Sequence, residues 1–265
     1  LFAKNKFQIQ DIVIYCNNNN IPIATRGRGT GNTGGSVPTK NSIVLSLEKM
    51  QNIVKIDIAN RLAIVEPGVI NKHLQDSLAN HNFFWGPDPS SLEYSTVGGN
   101  LANNSAGPRA IKYGTPRDNV LGLEFISGNG EIHRTGVKTS KGVVGLDLTR
   151  LFVGSEGILG ILTEATLKII PKSNYIKTIE ITFNNIESAS KTIISLMTQP
   201  VIPYKLEFID EQSIKLINTI KNNHYDEKTK AAILLELDGE EELIQIITDK
   251  VINIIKKNKY KSINI

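Results

Sequence analysis

Arg26-Gly27-Arg28-Gly29-Thr30-Gly31-Asn32-Thr33-Gly34-Gly35-Ser36 sets five glycines within eleven residues and contains no apolar side chain. A segment of this kind cannot pack into a core. It takes its shape by letting backbone come close to something else, with some residues at positive φ. Successive N–H groups in such a loop form a nest for anions, and the two arginines add fixed positive charge. The stretch reads as a cradle for a phosphorylated cofactor.

Its flanks decide which kind. Ile9, Ile12, Val13 and Cys16 recur at helical spacing over residues 6–16, and the asparagines at 17–20 end that helix. Residues 21–25 and 42–47 are short, apolar and strand-like, so the order is helix, strand, glycine loop, strand. Gly29 to Gly34 satisfies G-x-G-x-x-G, but a dinucleotide fold needs a helix opening directly after the loop. Pro38 and a β-branched run follow instead. The phosphate loop with lysine also fails, because Gly35 stands where the lysine belongs. Phosphate must then be held by backbone N–H groups and not by a helix dipole. The plain alternative is a hairpin connection, which needs only two to five residues and a single glycine.

Further along, residues 53–58 and 62–66 read as a hairpin, Pro67-Gly68 breaks it, and Ile70, His73, Leu74 and Leu78 mark a helix. His73 and His81 are isolated and read as surface or half-buried side chains. Trp85-Gly86-Pro87-Asp88-Pro89 is a rigid, extended turn. Residues 95–108 follow as a long, small-residue loop, read as a second backbone wall for the same ligand, with a purely structural loop as the alternative. Residues 119–126 and 131–135 form two strands about a turn at 128–130. Residues 137–149 are interrupted by glycine and ambiguous. Residues 151–161 are an apolar run broken by three glycines, a third place of close backbone approach. Residues 161–170 form a strand ended by Pro171. Beyond it glycine almost vanishes, Gly239 being the one left. Strand-like segments at 176–183, 203–209, 231–237 and 260–265 alternate with helices at 186–197, 211–220 and 243–254. This is a second, α+β unit, with the boundary near residue 172.

With 265 residues and 40% hydrophobic content, the chain can bury a full core. The net charge is +4, and Lys250, Lys256, Lys257, Lys259 and Lys261 read as a solvated helix end. A nucleic-acid patch is the lesser reading, because Tyr260 is the one aromatic in the run. The lone Cys16 excludes an internal disulfide framework and a cysteine metal cluster. No run approaches the ~18 apolar residues of a membrane span, and no signal peptide is visible. The expectation is a cytoplasmic protein without a metal site. Both ends read as cut.

The three glycine-rich segments together resemble the FAD-binding domain of the PCMH-type (vanillyl-alcohol oxidase) flavoproteins, in the branch of the glycolate oxidase flavin subunit and D-lactate dehydrogenase. The segments are RGRGTGNTGGSV (26–37), GPDPSSLEYSTVGGNLANNSAGPRAIKYGTPRDNVLGLE (86–124) and DLTRLFVGSEGILGILTEATLKI (147–169). The match spans nearly all of residues 7–172. Residues 173–265 resemble, more weakly, the opening of that family's C-terminal cap.

The resemblance implies an α+β fold: a two-lobed FAD-binding domain over residues 1–172, then the first part of an α+β, ferredoxin-like cap over 173–265. It implies that Arg26, Gly27, Arg28, Gly29, Thr30, Gly31, Asn32, Gly34, Gly35 and Ser36 hold the FAD pyrophosphate. Pro87, Thr96, Val97, Gly98, Gly99, Asn103, Ser105 and Gly107 would line the flavin and ribityl chain. Glu156, Gly157, Gly160 and Ile161 would meet the adenosine half or the ring edge. Relatives with covalent flavin carry a histidine in the first loop, where this sequence has Thr30, and neither His nor Cys lies in 26–36 or 86–124. The FAD is therefore expected to be dissociable.

The activity implied is oxidation of a 2-hydroxy acid such as glycolate or D-lactate to the 2-keto acid. Hydride passes to FAD, and electrons pass on to an iron–sulfur or other accepting subunit, which could place the protein at the inner membrane. The branch usually reads K-N-x-x-G-Y-D-L-T, whereas residues 141–149 put Leu146 in the aromatic position. The family's substrate arginine, paired metal-binding histidines and base histidine lie in the later cap, beyond this chain. No catalytic residue is assigned, and His224, in a polar loop, is not taken for one. Two other readings stay open: a non-catalytic FAD-binding remnant or subunit of a split gene, and the same fold with different chemistry, as in carbohydrate oxidases or a reductase of a cell-wall sugar nucleotide.

Overall fold

The computed structural model describes residues 1–139, 141–221 and 224–265. They form two compact units, one of Leu1–Gly107 with Tyr113–Lys172, the other of Pro108–Lys112 with Ser173–Ile265.

The first unit opens with helix α1 (Lys6–Asn18), capped by Asn5, whose side chain accepts the Gln8 N–H at 3.0 Å. Its Ile9 and Val13 join Leu45, Leu47, Met50, Ile126 and Ile161 in one buried cluster, and Cys16 is buried beside them as apolar filler. Strands β1 (Ile23–Arg26) and β2 (Ile43–Ser46) pair in parallel, Ile23 beside Ile43 and Arg26 beside Ser46. That register removes the hairpin alternative. Parallel neighbours need a crossover, and here the glycine loop is the crossover, in the place usually taken by a helix.

Strands β3 (Ile53–Asp57) and β4 (Leu62–Val65) form the expected hairpin, and helix α2 (Asn71–Ala79) follows. A short strand, β5 (Phe83–Trp85), was not legible from three residues. Its Trp85 is fully buried and donates its Nε1–H to the Asn119 carbonyl at 3.0 Å. The stretch read as a long loop contains helix α3 (Val97–Asn103), which Thr96 caps and Asn104 ends in a left-handed conformation, φ 49°. Helix α4 (Ala110–Tyr113) and a single 3-10 turn (Pro116–Asp118) lead into β6 (Val120–Ile126) and β7 (Ile132–Gly136). Of the ambiguous 137–149 segment, Ser140 lies outside the described residues. The rest is irregular until helix α5 (Leu148–Phe152).

Strand β8 (Ile161–Pro171) is the centre of the main sheet, ordered β3-β4-β8-β6-β7, with β5 also paired to β8 and every pairing antiparallel. Trp85, Leu74, Leu78, Val97, Leu101, Phe152 and Leu167 fill the core on this sheet. Each such side chain removed from water contributes about 1.5–3 kcal/mol.

The second unit contains β9 (Tyr175–Phe183), α6 (Ile186–Met197), β10 (Lys205–Asp210), α7 (Glu211–Ile220), β11 (Ala231–Gly239), α8 (Glu241–Lys256) and β12 (Ser262–Asn264). Its antiparallel sheet runs β10-β11-β9-β12. The apolar stripes of α6 and α8 close over Ile179, Ile181, Phe183, Ile233 and Leu235. Residues 108–112 belong here: the Arg109 guanidinium lies 5.3 Å from the centre of the Tyr204 ring, and Lys112 pairs with the buried carboxylate of Asp238.

Candidate FAD site

The first unit carries a cleft with about 870 Å³ of space, counted to its open mouth. Three separated segments line it. From β1 and the crossover come Thr25, Gly27, Arg28, Gly29, Thr30, Gly31, Thr33, Gly35 and Ser36. From α3 and its flanks come Thr96, Gly98, Gly99, Asn100, Ala102, Asn103 and Ser105. From the turn into β8 come Glu156, Gly157, Gly160 and Leu162, and Leu47, Pro67 and Ser91 complete the lining.

The walls approach so closely that side chains would bridge them. A Cβ on Gly27 would stand 2.2 Å from the Thr96 hydroxyl oxygen, and one on Gly35 would stand 2.8 Å from a Glu156 carboxylate oxygen. Gly31 is different, since its nearest neighbour is the Asn103 amide at 3.4 Å, an ordinary contact. Between Arg28 and Thr33 the backbone N–H groups meet no acceptor among the described residues. At α3 the reverse holds. The Val97 N–H donates to the Val69 carbonyl and the Gly98 N–H to the Pro67 carbonyl, each at 2.8 Å, and the Gly99 N–H donates to Thr96 Oγ1 at 3.1 Å. The helix start is consumed by the protein itself. Donors for an anion therefore come from the crossover loop, as the strand following it requires.

Beneath α3, Asn71 and Asn100 are buried. Asn71 Nδ2 donates to Asn100 Oδ1 at 2.9 Å and to the Pro87 carbonyl at 3.4 Å, which holds α3 against the turn at Pro87. Arg28 lies on the cleft and pairs with Glu48 at 3.2 Å. Arg26 turns back, its Nε and one terminal nitrogen donating to the Ser36 carbonyl at 3.2 and 2.8 Å, so its charge staples the two ends of the loop together.

Of the remaining sequence-assigned residues, Asn32 and Gly34 sit on the loop's exposed outer edge, Gly34 at φ 87°. Pro87 is buried behind the cleft, Val97 lies in the main core and Ile161 in the core under α1. Gly107 is pressed against the Asp88 backbone. The cleft also uses residues that were not singled out. Thr33, Asn100 and Ala102 fall inside segments already read as walls. Leu47, Pro67 and Leu162 look like ordinary core positions, and only the fold turns one side of each to the cleft. Leu146 is 89% exposed. No histidine or cysteine lines the cleft, and among the described residues no three His, Cys, Asp or Glu side chains gather as a metal site.

The FAD binding domain family matches residues 1–136. The chain belongs to this family. FAD is thus its cofactor, and the cradle fits: the loop that lines the cleft has N–H groups without an acceptor among the described residues, and the walls leave no room for side chains at Gly27 and Gly35. Residues 172–262 match the C-terminal domain of FAD linked oxidases. Among relatives of this FAD-binding chain, the glycolate oxidase subunit GlcD of Bacillus subtilis is 41% identical over 98% of the chain and 55% of its own length. The Escherichia coli GlcD is 34% identical over 97% and 51%, and a D-lactate dehydrogenase of Archaeoglobus fulgidus is 36% identical over 87% and 52%. The chain spans about half the length of the curated relatives it matches. In fold it is similar to alkyldihydroxyacetonephosphate synthase, with a TM-score of 0.83 at 21% identity, covering 98% of this chain and 50% of that one. No helix among the described residues is long and apolar enough to cross a membrane.

Proposed function

We propose that this chain is the flavin-binding portion of a dehydrogenase that oxidises a small 2-hydroxy acid, such as glycolate or D-lactate, to the 2-keto acid. The observation that carries this reading is the convergence of three glycine-rich walls on one cleft, in a chain whose relatives are named for those two substrates. Bound FAD supplies the hydride acceptor. The N–H groups from Arg28 to Thr33 hold its pyrophosphate, Arg28 adds positive charge, and Thr96, Gly98, Gly99, Asn103 and Ser105 pack along the flavin and ribityl chain. Glu156, Gly157 and Gly160 meet the adenosine half or the ring edge. The FAD-binding domain lies within residues 1–172, less the 108–112 segment, and the beginning of the cap takes in 173–265. The relatives named as subunits favour a further electron-accepting chain, such as an iron–sulfur protein, through which the protein could lie at the inner membrane.

The flavin is held without a covalent bond, because the lining offers no imidazole or thiol to form one. Acid precipitation then leaves the flavin in the supernatant, and flavin on the pellet would contradict this. A second reading, an FAD-binding subunit without its own substrate site, draws on the same lining. Its only titratable side chains are Arg28 and Glu156, and neither is an evident base for a hydroxyl proton. Adding glycolate or D-lactate anaerobically to the purified chain separates the two. Bleaching of the flavin absorbance supports the dehydrogenase, a yellow protein that never bleaches supports the binding subunit, and a colourless protein defeats both.

A further inference from the structure

We infer that Thr33 and Glu156 form a clasp across the mouth of the cleft that slows the escape of bound FAD. This rests on the FAD-binding reading of the cleft. The sequence places Thr33 in the phosphate cradle without a role for its side chain, yet its hydroxyl is the point where the three walls meet. Thr33 Oγ1 lies 3.0 Å from Glu156 Oε2 and 3.3 Å from Asn103 Oδ1. A hydroxyl has one proton, and it goes to the nearer and charged acceptor, the carboxylate. Asn103 presents its oxygen because its Nδ2 is already committed to the Gly99 carbonyl at 3.0 Å.

Glu156 is built to reach this point. It holds φ 54°, a left-handed conformation uncommon outside glycine, which costs on the order of 1 kcal/mol. Its N–H donates to the Ala102 carbonyl at 2.9 Å and the Gly154 N–H to the Leu101 carbonyl at 2.9 Å, so the turn is pinned to the end of α3. Gly157, also at positive φ (84°), continues the turn. On the opposite side, Gly35 clears the path, since a Cβ there would meet the same carboxylate oxygen. A carboxylate beside an anion-binding loop repels a phosphate. Its use here is to accept the hydrogen bond of the Thr33 hydroxyl and so tie the free tip of the crossover to the far wall. The tip carries the open N–H donors, so tying it down holds those donors on the pyrophosphate.

The test is the rate of FAD release from the purified holoprotein, followed by the rise in flavin fluorescence on dilution, with thermal melts of the apoprotein alongside. Thr33 is exposed, and Thr33→Val leaves the melt unchanged. One lost charge-assisted hydrogen bond raises the release rate about fivefold. Thr33→Ser, which keeps the hydroxyl, stays within about twofold of the wild type, and Thr33→Val adds nothing on top of Glu156→Ala. If Thr33→Val releases FAD at the wild-type rate while Glu156→Ala is fast, Glu156 retains FAD without Thr33 and the clasp is wrong. If both variants match the wild type, neither residue matters to retention and the clasp is again wrong. A wild-type protein that holds no FAD defeats the FAD-binding reading itself, a result distinct from either.

Discussion

Glycines in this cleft do two different jobs, and a single residue letter does not distinguish them. Gly98 is forced by the protein's own packing: a Cβ there would lie 2.6 Å from the Pro67 Cβ and 2.9 Å from its carbonyl oxygen. Gly31 faces only the Asn103 amide at 3.4 Å or more. Both read identically in the sequence, as members of glycine-rich walls, and a valine at either would be expected to spare the fold. The structure separates them. Gly31→Val leaves the thermal melt of the apoprotein unchanged while FAD affinity, measured by fluorescence titration, falls at least about tenfold, or ~1.4 kcal/mol. Gly98→Val collides with backbone that cannot move aside and lowers stability by about 1–3 kcal/mol even without FAD. Equal melts for the two variants would show that the Pro67 contact yields easily. The left-handed Glu156 was not legible at all, because nothing in Gly154-Ser155-Glu156-Gly157 says which residue takes the turn.

At the scale of elements, most helices and strands were legible because their apolar periods are regular. The miss at 95–108 has a physical cause. Two glycines and two asparagines give α3 poor intrinsic helicity, and it exists because Thr96 caps it and the carbonyls of Pro67 and Val69 take its first N–H groups. The side-chain knot that joins α1 to the main sheet was equally hidden. Glu124 on β6 is buried, and its carboxylate accepts from Lys6 at 2.9 Å, Arg134 at 2.8 Å and Thr163 at 2.9 Å. Burial alone pushes its pKa up, but the bonds to Lys6, Arg134 and Thr163 outweigh that and hold it below the ordinary 4.5. A carboxylate whose folded pKa is depressed gives stability that is complete above the unfolded value and lost as pH falls through the folded one. Glu124→Gln therefore costs about 2 kcal/mol near neutral pH, and the gap between variant and wild type narrows as melts are taken from pH 5 down past the folded value. A gap that stays constant over that range would place the loss in packing and not in charge.

For the whole molecule, the change of texture after Pro171 made a second unit legible, while the membership of residues 108–112 in it was not. That segment follows a run of small residues, and its contacts, among them those with Tyr204 and Asp238, assign it. The two units have separate cores, one on the main sheet and under α1, the other between β9, β11 and the helices α6 and α8. Every residue lining the cleft belongs to the first. A ligand stabilises the state it binds by RT ln(1 + [L]/Kd), about 2.7 kcal/mol at a hundredfold excess over Kd. For a unit of this size that is a shift in melting temperature of about 5–10 °C. Calorimetry of the full chain should then resolve two transitions, with FAD at that excess moving one upward and leaving the other in place. If FAD raises both by the same amount, the units unfold as one and the separate cores do not act separately. If it moves only the other transition, the three-walled cleft is not where the cofactor binds, and if it moves neither, the chain does not bind FAD.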